Sequence, residues 1–183
     1  VGMGGSHLAA DLLKSYDPYL DITIHKDYGL PALSGEVLRN SLIIASSYSG
    51  NTEEVIDAYE RALKTNLPLA VIASGGKLLE LARKNKTPYI QVPDIGIEPR
   101  VALGFSLKAI LKIIDYEKAL KEAAELAKSL NPADYEAAGR ELAKKIKRAV
   151  PIIYSSGGNA GLAYNWKIAF NETGKIPAFY NVF

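Results

Sequence analysis

Residues 42–64 read LIIASSYSGNTEEVIDAYERALK, and the reading of this stretch decides the fold class. An apolar run, Leu42–Ala45, enters a turn of Ser46, Ser47, Tyr48, Ser49, Gly50, Asn51 and Thr52. Beyond it, Val55, Ile56, Tyr59 and Leu63 fall on one stripe of a helix, while Glu53, Glu54, Asp57, Glu60 and Arg61 face the other way. A buried strand feeding an amphipathic helix is one unit of a parallel α/β sheet. Thr52, after Gly50-Asn51 and before two glutamates, stands where a helix N-cap is expected. A cap needs one hydroxyl, yet Ser46, Ser47, Ser49 and Thr52 all crowd the strand's carboxyl end. Helix N-termini offer unbonded N–H groups and about half a positive charge, and open α/β sheets bind ligands at the carboxyl ends of their strands. The stretch therefore predicts a phosphate site built from hydroxyls and backbone amides, without lysine.

The same alternation extends outward. SLIIAS (41–46), PLAVIA (68–73) and PYIQVP (88–93) predict strands, with DITIHK (21–26) as an edge; helices are predicted over 6–15, 52–64 and 77–84. The run 101–114, VALGFSLKAILKII, is apolar nearly all round and predicts a helix covered by the core or by a partner chain. From residue 116 the texture turns rich in Ala, Glu and Lys at helical spacing, parted by Asn131-Pro132 as a cap and first-turn proline. PIIYSSGGN (151–159) then echoes LIIASSYSGN and predicts a second, related α/β unit whose helix is AYNWKIAFNE. The expected organisation is a first α/β domain over 1–115, connecting helices over 116–150, and the start of a second α/β unit over 151–183. Both ends are expected to be cut, since one apolar residue precedes GMGGS and IPAFYNVF stops on a strand-like run.

Composition narrows the function classes. Of 183 residues, 48% are hydrophobic and 23% charged, ordinary values for a globular protein. A net charge of +2 gives no drive toward nucleic acid or anionic membrane, and the scattered tyrosines lack the basic patches of RNA readers. No cysteine is present, which rules out disulfides and fits a reducing cytoplasm. No apolar run approaches the roughly 20 residues of a membrane span. His7 and His25 are too far apart for a local metal motif, and neither a metal nor another cofactor is expected. Trp166, at helical spacing from Phe170, is expected in the core. GMGGS (2–6) invites the dinucleotide fingerprint, but His7 stands where Gly or Ala is required. The nucleotide P-loop is absent, since Gly76-Lys77 leads to Leu78 rather than to a hydroxyl.

GMGGS, SSYSGNTEE, the arginine of IEPRVAL, and FNETGK followed by PAFYNVF together resemble the SIS (sugar isomerase) proteins, and most closely their bifunctional phosphoglucose/phosphomannose isomerase branch. The resemblance implies an SIS-type three-layer αβα sandwich with a parallel, flavodoxin-like sheet, followed by connecting helices and part of a second SIS-type unit. It implies a phosphate site on Ser47, Ser49 and Thr52, with Gly5 and Ser6 lining the substrate. Arg100 takes the place of the family's arginine and Glu172 that of its proton-transferring glutamate. It also implies a homodimer with the active site near the subunit interface, and a further histidine, lysine and selectivity threonine beyond Phe183. His7 departs from the family's small residue after GMGGS.

The chemistry asks for these residue types. Aldose–ketose conversion moves one proton between C2 and C1 through a cis-enediolate; a carboxylate can take and return it, and a guanidinium can steady the oxyanion. From the residues alone, Glu172 is equally a solvated helix-end residue, and Arg100 equally a surface partner of Glu98. Two rival readings follow: an SIS isomerase for another phosphosugar, and a non-catalytic SIS module that binds a sugar phosphate and needs no base at Glu172.

Overall fold

In the computed structural model, which describes residues Val1–Phe183, strands β1 (Ile43–Ser46), β2 (Leu69–Ala73) and β3 (Tyr89–Gln91) form a parallel sheet in that order. Ala45 lies opposite Val71, Ser46 opposite Ile72, and Val71 opposite Tyr89. Parallel neighbours need crossovers, supplied here by helices. Helix α1 (Leu8–Tyr16) and the short α2 (Gly35–Arg39) precede the sheet; α3 (Glu53–Lys64) joins β1 to β2, and α4 (Gly76–Lys84) joins β2 to β3. The predicted helix over 6–15 begins as a tight 3₁₀ turn, Gly4–His7, before continuing as α1.

Side-chain alternation sends Ala45, Val71 and Ala73 to one face, where Val55, Ile56 and Tyr59 of α3 and Leu78, Leu79 and Ala82 of α4 cover them. Tyr59 is wholly buried; its hydroxyl donates to the Leu81 carbonyl at 3.2 Å and meets Thr87 Oγ1 at 2.9 Å and Asn85 Nδ2 at 3.2 Å. A buried phenol with three partners carries no desolvation penalty. Helix α5 (Leu103–Ile113) packs against α1 and β2 through Ser106, Ala109, Ile110 and Leu111.

One expectation for this unit fails, the edge strand over 21–26. Within the single chain the core covers the run 101–114 only in part: Gly104, Lys108 and Lys112, four residues apart, form an exposed stripe along α5. The apolar excess of the sequence conceals that stripe because two lysines and a glycine suffice to wet one face. Residues 21–26 form no strand; Gly2 N–H donates to the His25 carbonyl at 3.1 Å without ladder pairing. Helix α2, whose cap Ser34 accepts from Val37 N–H, carries no apolar stripe and was not foreseen.

The chain divides into two compact units, Val1–Asp115 and Tyr116–Phe183. The second contains α6 (Glu117–Ser129), α7 (Ala133–Ile146), β4 (Ile152–Ser155), α8 (Ala160–Ile168) and β5 (Phe179–Val182). The cap expectation for Asn131 is corrected: Pro132 holds the N-cap position of α7, and Asn131 Oδ1 accepts from Ala133 N–H at 3.3 Å from one residue further out. Strands β4 and β5 pair in parallel, with Ile152 opposite Phe179 and Ser155 opposite Val182. Trp166 contradicts expectation: it is 54% exposed and stacks obliquely on Phe170 at 6.0 Å. Helical spacing places the two rings together, but it does not choose which face of α8 is buried; Ala163 and Ile168 are the buried residues.

Candidate active site

The turn after β1 is held from inside. Ser47 is wholly buried; its N–H donates to the Ile72 carbonyl at 3.0 Å, extending the sheet by one bond. Its Oγ accepts from Gly50 N–H at 3.1 Å and lies 2.8 Å from Thr52 Oγ1. Thr52 occupies the N-cap position of α3, but its hydroxyl does not cap the helix, and no side chain does. The cap expectation is corrected accordingly: the hydroxyl is drawn back toward Ser47, and the first amides of α3 are left for another acceptor. Ser49 is exposed at the tip of the turn, its Oγ accepting from Asn51 N–H at 3.3 Å.

A second loop, Ser74-Gly75-Gly76, splints this turn, and the sequence reading gave it no role. Ser74 donates twice to the Tyr48 carbonyl, from N at 2.9 Å and from Oγ at 2.6 Å. Leu78 N–H donates to the Gly50 carbonyl at 2.8 Å, and Lys77 N–H to Asn51 Oδ1 at 3.1 Å. Gly50 has φ +70°, and a Cβ there would stand 1.9 Å from the Gly75 carbonyl oxygen. The available signal was the glycine pair directly after a predicted strand, a position suited to close backbone approach.

The first loop joins the same end of the sheet. Ser6 Oγ accepts from Tyr48 N–H at 3.0 Å, and Ser46 Oγ donates to the Ser6 carbonyl at 3.3 Å. A Cβ on Gly5 would lie 2.5 Å from Arg100 N, so the glycine is what allows the Pro99–Val101 turn to rest on this loop. The Arg100 side chain is 20% exposed, with Nη1 3.4 Å from Glu98 Oε2. Tyr48 Oη donates to the Pro93 carbonyl at 3.1 Å, tying the serine-rich turn to the segment that leads into Arg100. His7, the residue foreign to the family pattern, is buried, with Nδ1 2.5 Å from Asp11 Oδ2 one helical turn on.

Gly5, Ser6, Ser47, Ser49, Thr52 and Arg100 thus lie on three interlocked loops at the carboxyl end of β1. Glu172 belongs to the other unit, in a wide π-type turn, Ala169–Thr173, that continues α8; it is half-buried there. A cavity of about 400 Å³ lies beside β1, lined among others by Ile22, Ile24, Leu38, Ile44, Ile110 and Ile114. Its lining is mainly apolar; of the candidate site residues only Ser6 reaches it, and Ser47, Ser49, Thr52 and Arg100 do not. No group of three or more metal-ligating side chains occurs, and no helix is long and apolar enough to cross a membrane.

Near the entrance to α3, Asp57 accepts from Gly29 N–H at 2.7 Å and from Arg61 Nε at 2.8 Å. The Arg61 bond, then the Gly29 N–H, hold its carboxyl below the ordinary carboxylate range.

Comparison with known proteins points to the SIS-domain class: the profile described as "Bacterial phospho-glucose isomerase C-terminal SIS domain" matches residues 136–183. More particularly, the chain is similar over its whole length to the bifunctional phosphoglucose/phosphomannose isomerases. It is 34% identical to that of Caldicellulosiruptor bescii over 200 residues, covering 100% of this chain and 58% of the relative. It is 34% identical to that of Thermoplasma acidophilum over 185 residues, covering 100% and 57%. The chain therefore spans somewhat more than half the length of these relatives. Its fold matches the C-terminal domain of glucosamine-fructose-6-phosphate aminotransferase from Francisella tularensis, with a TM-score of 0.65 at 15% identity, covering 98% of this chain and 56% of that one.

Proposed function

We propose that the protein is a phosphosugar aldose–ketose isomerase that interconverts fructose 6-phosphate with glucose 6-phosphate and with mannose 6-phosphate. The observation that carries this reading is the uncapped start of α3, with Thr52 turned to Ser47 and Arg100 packed on the neighbouring loop. A phosphate supplies the acceptors that the α3 amides lack; Ser49 donates to its oxygens, and the Ser47–Thr52 pair, whose mutual bond uses one of its two protons, donates the other. Gly5 and Ser6 line the sugar.

The reading gives Glu172 the role of the base. Its carboxylate takes the C2 proton of the aldose, the C2–H electron pair forms the C1–C2 double bond as the C1 carbonyl becomes an oxyanion, and the proton returns at C1 while the O2 proton passes to O1, giving the ketose. Arg100 steadies the enediolate oxygen without transferring a proton. Neither electrons nor a co-substrate enter, so the reaction needs no redox cofactor. The reading includes a homodimer in the cytoplasm. An exposed Val101 beside α5 and the absence of cysteine support these two points.

The test is direct. The intact protein is incubated with fructose 6-phosphate, and the appearance of glucose 6-phosphate and mannose 6-phosphate is followed. Formation of both supports the proposal. Tight binding without turnover would replace it with a sugar-phosphate-binding module, and turnover of a different phosphosugar alone would replace the substrate.

A further inference from the structure

Glu172 follows Asn171, and the two side chains do different things. Asn171 Oδ1 accepts from Ala178 N–H at 2.8 Å, across seven residues, where the chain leaves the turn to enter β5. Around this bond the backbone is unusually wide. Gly174 N–H donates to the Ala169 carbonyl at 3.0 Å, the five-residue step of a π turn, and Ile176 N–H donates to the Phe170 carbonyl at 3.2 Å. A Cβ on Gly174 would stand 2.8 Å from that carbonyl oxygen, so the turn closes over a glycine. Lys175 then takes φ +54°, reversing the chain toward buried Ala178. One extra residue in a helical turn rotates everything after it by about 100°. The π turn therefore sets the direction in which Glu172 leaves the helix, and the Asn171–Ala178 bond ties that turn to the β4–β5 sheet.

We infer that Asn171 is a positioning residue for Glu172: its amide oxygen fixes the wide turn on the sheet and so holds the carboxylate at one angle. The inference rests on the reading of Glu172 as the proton-transferring base. A carboxylate that must reach both C1 and C2 tolerates little angular drift, and a displacement of about 1 Å can cost about 100-fold in rate.

The experiment measures isomerisation and the solvent exchange of the C2 proton of glucose 6-phosphate in the intact protein. Asn171→Ala, Asn171→Asp and Glu172→Gln are compared with the wild type. Asn171→Ala is expected to lower kcat and the exchange rate by about 10–100-fold. KM should stay within about twofold, because the phosphate is held by the other unit. Asn171→Asp keeps the acceptor for Ala178 N–H and should restore exchange to within about threefold of wild type, which a general loss of stability would not explain. Wild-type exchange in Asn171→Ala, or an equal loss in Asn171→Asp, overturns the positioning role. If the alanine variant does not fold, Asn171→Asp alone decides: a loss greater than about tenfold despite the retained acceptor overturns the inference. Glu172→Gln separates the two levels. If it abolishes exchange while Asn171→Ala leaves exchange intact, only the positioning role falls; if Glu172→Gln itself exchanges normally, the base assignment falls and takes the inference with it.

Discussion

Thr52 Oγ1 lies 2.8 Å from Ser47 Oγ, so the residue at the start of α3 bonds back to the strand end instead of capping its own helix. That relationship leaves the start of α3 without a side-chain cap, which is where the proposed phosphate would bind. It also changes the source, though not the size, of the stability cost expected at this residue. A capping threonine replaced by alanine costs about 1 kcal/mol. Here Thr52→Ala removes no cap, leaving only the bond between two hydroxyls. Its effect on folding should stay near 0.5–1.5 kcal/mol, and the main effect should fall on phosphate affinity. Thermal unfolding with and without fructose 6-phosphate separates the two; a shift confined to the ligand-free protein would argue against the proposed phosphate site.

Ser47→Ala combined with Ser49→Ala removes the Ser49 donor and the partner that orients the Thr52 hydroxyl toward the proposed phosphate. Affinity for fructose 6-phosphate should fall by roughly 2–4 kcal/mol, about the sum of two charge-assisted hydrogen bonds. Calorimetric titration provides the measurement, and unchanged affinity in the double variant would remove the loop from the site.

Gly4 and Gly5 are neighbours with different reasons to be glycine. Gly4 has φ +50° with open space where a Cβ would go, whereas a Cβ on Gly5 would press on Arg100 N at 2.5 Å. Gly4→Ala should cost about 1–2 kcal/mol of stability through its backbone conformation and leave kinetics close to wild type. Gly5→Ala should displace the Arg100 turn and lower kcat more than it raises KM. Steady-state kinetics of the pair reads the contrast, and equal behaviour of the two variants would refute it.

Glu172→Gln keeps the shape of the side chain but cannot accept the proton as a carboxylate does. General-base contributions are typically about 10²–10⁴-fold, so isomerisation should fall by at least that range with substrate binding little changed. Retention of wild-type kcat would place the base elsewhere.

Asp57 links α3 to the strap at Gly29, and its bonds to Arg61 and Gly29 N–H depress its pKa in the folded protein. A depressed carboxyl stabilises the fold above its unfolded value of about 3.9, and this contribution is lost as pH falls through the lower folded value. Asp57→Asn should therefore be less stable than wild type at neutral pH, with the gap closing below about pH 4. Denaturant unfolding at pH 7 and pH 3 tests the sign; a gap that widens on acidification would contradict it.

The sequence by itself determined most elements of the first unit, though neither α2 nor the lack of a strand over 21–26. Apolar runs of strand length at 41–46, 68–73 and 88–93, separated by amphipathic helices, leave little choice but a parallel sheet, because hydrophobic periodicity is a local property. The hydroxyl cluster at Ser46–Thr52 was legible for the same reason, since strand, turn and helix adjoin in the chain. What only the tertiary structure decided involves contacts between distant residues. The splint of Ser74 on Tyr48, the seat of Arg100 on Gly5, the turning of Thr52 away from its own helix, and the clamp of Asn171 on Ala178 each depend on space left by packing. Burial was likewise undecided for α5 and Trp166, because composition fixes how much apolar surface a helix has, whereas the surrounding elements fix which side of it meets water.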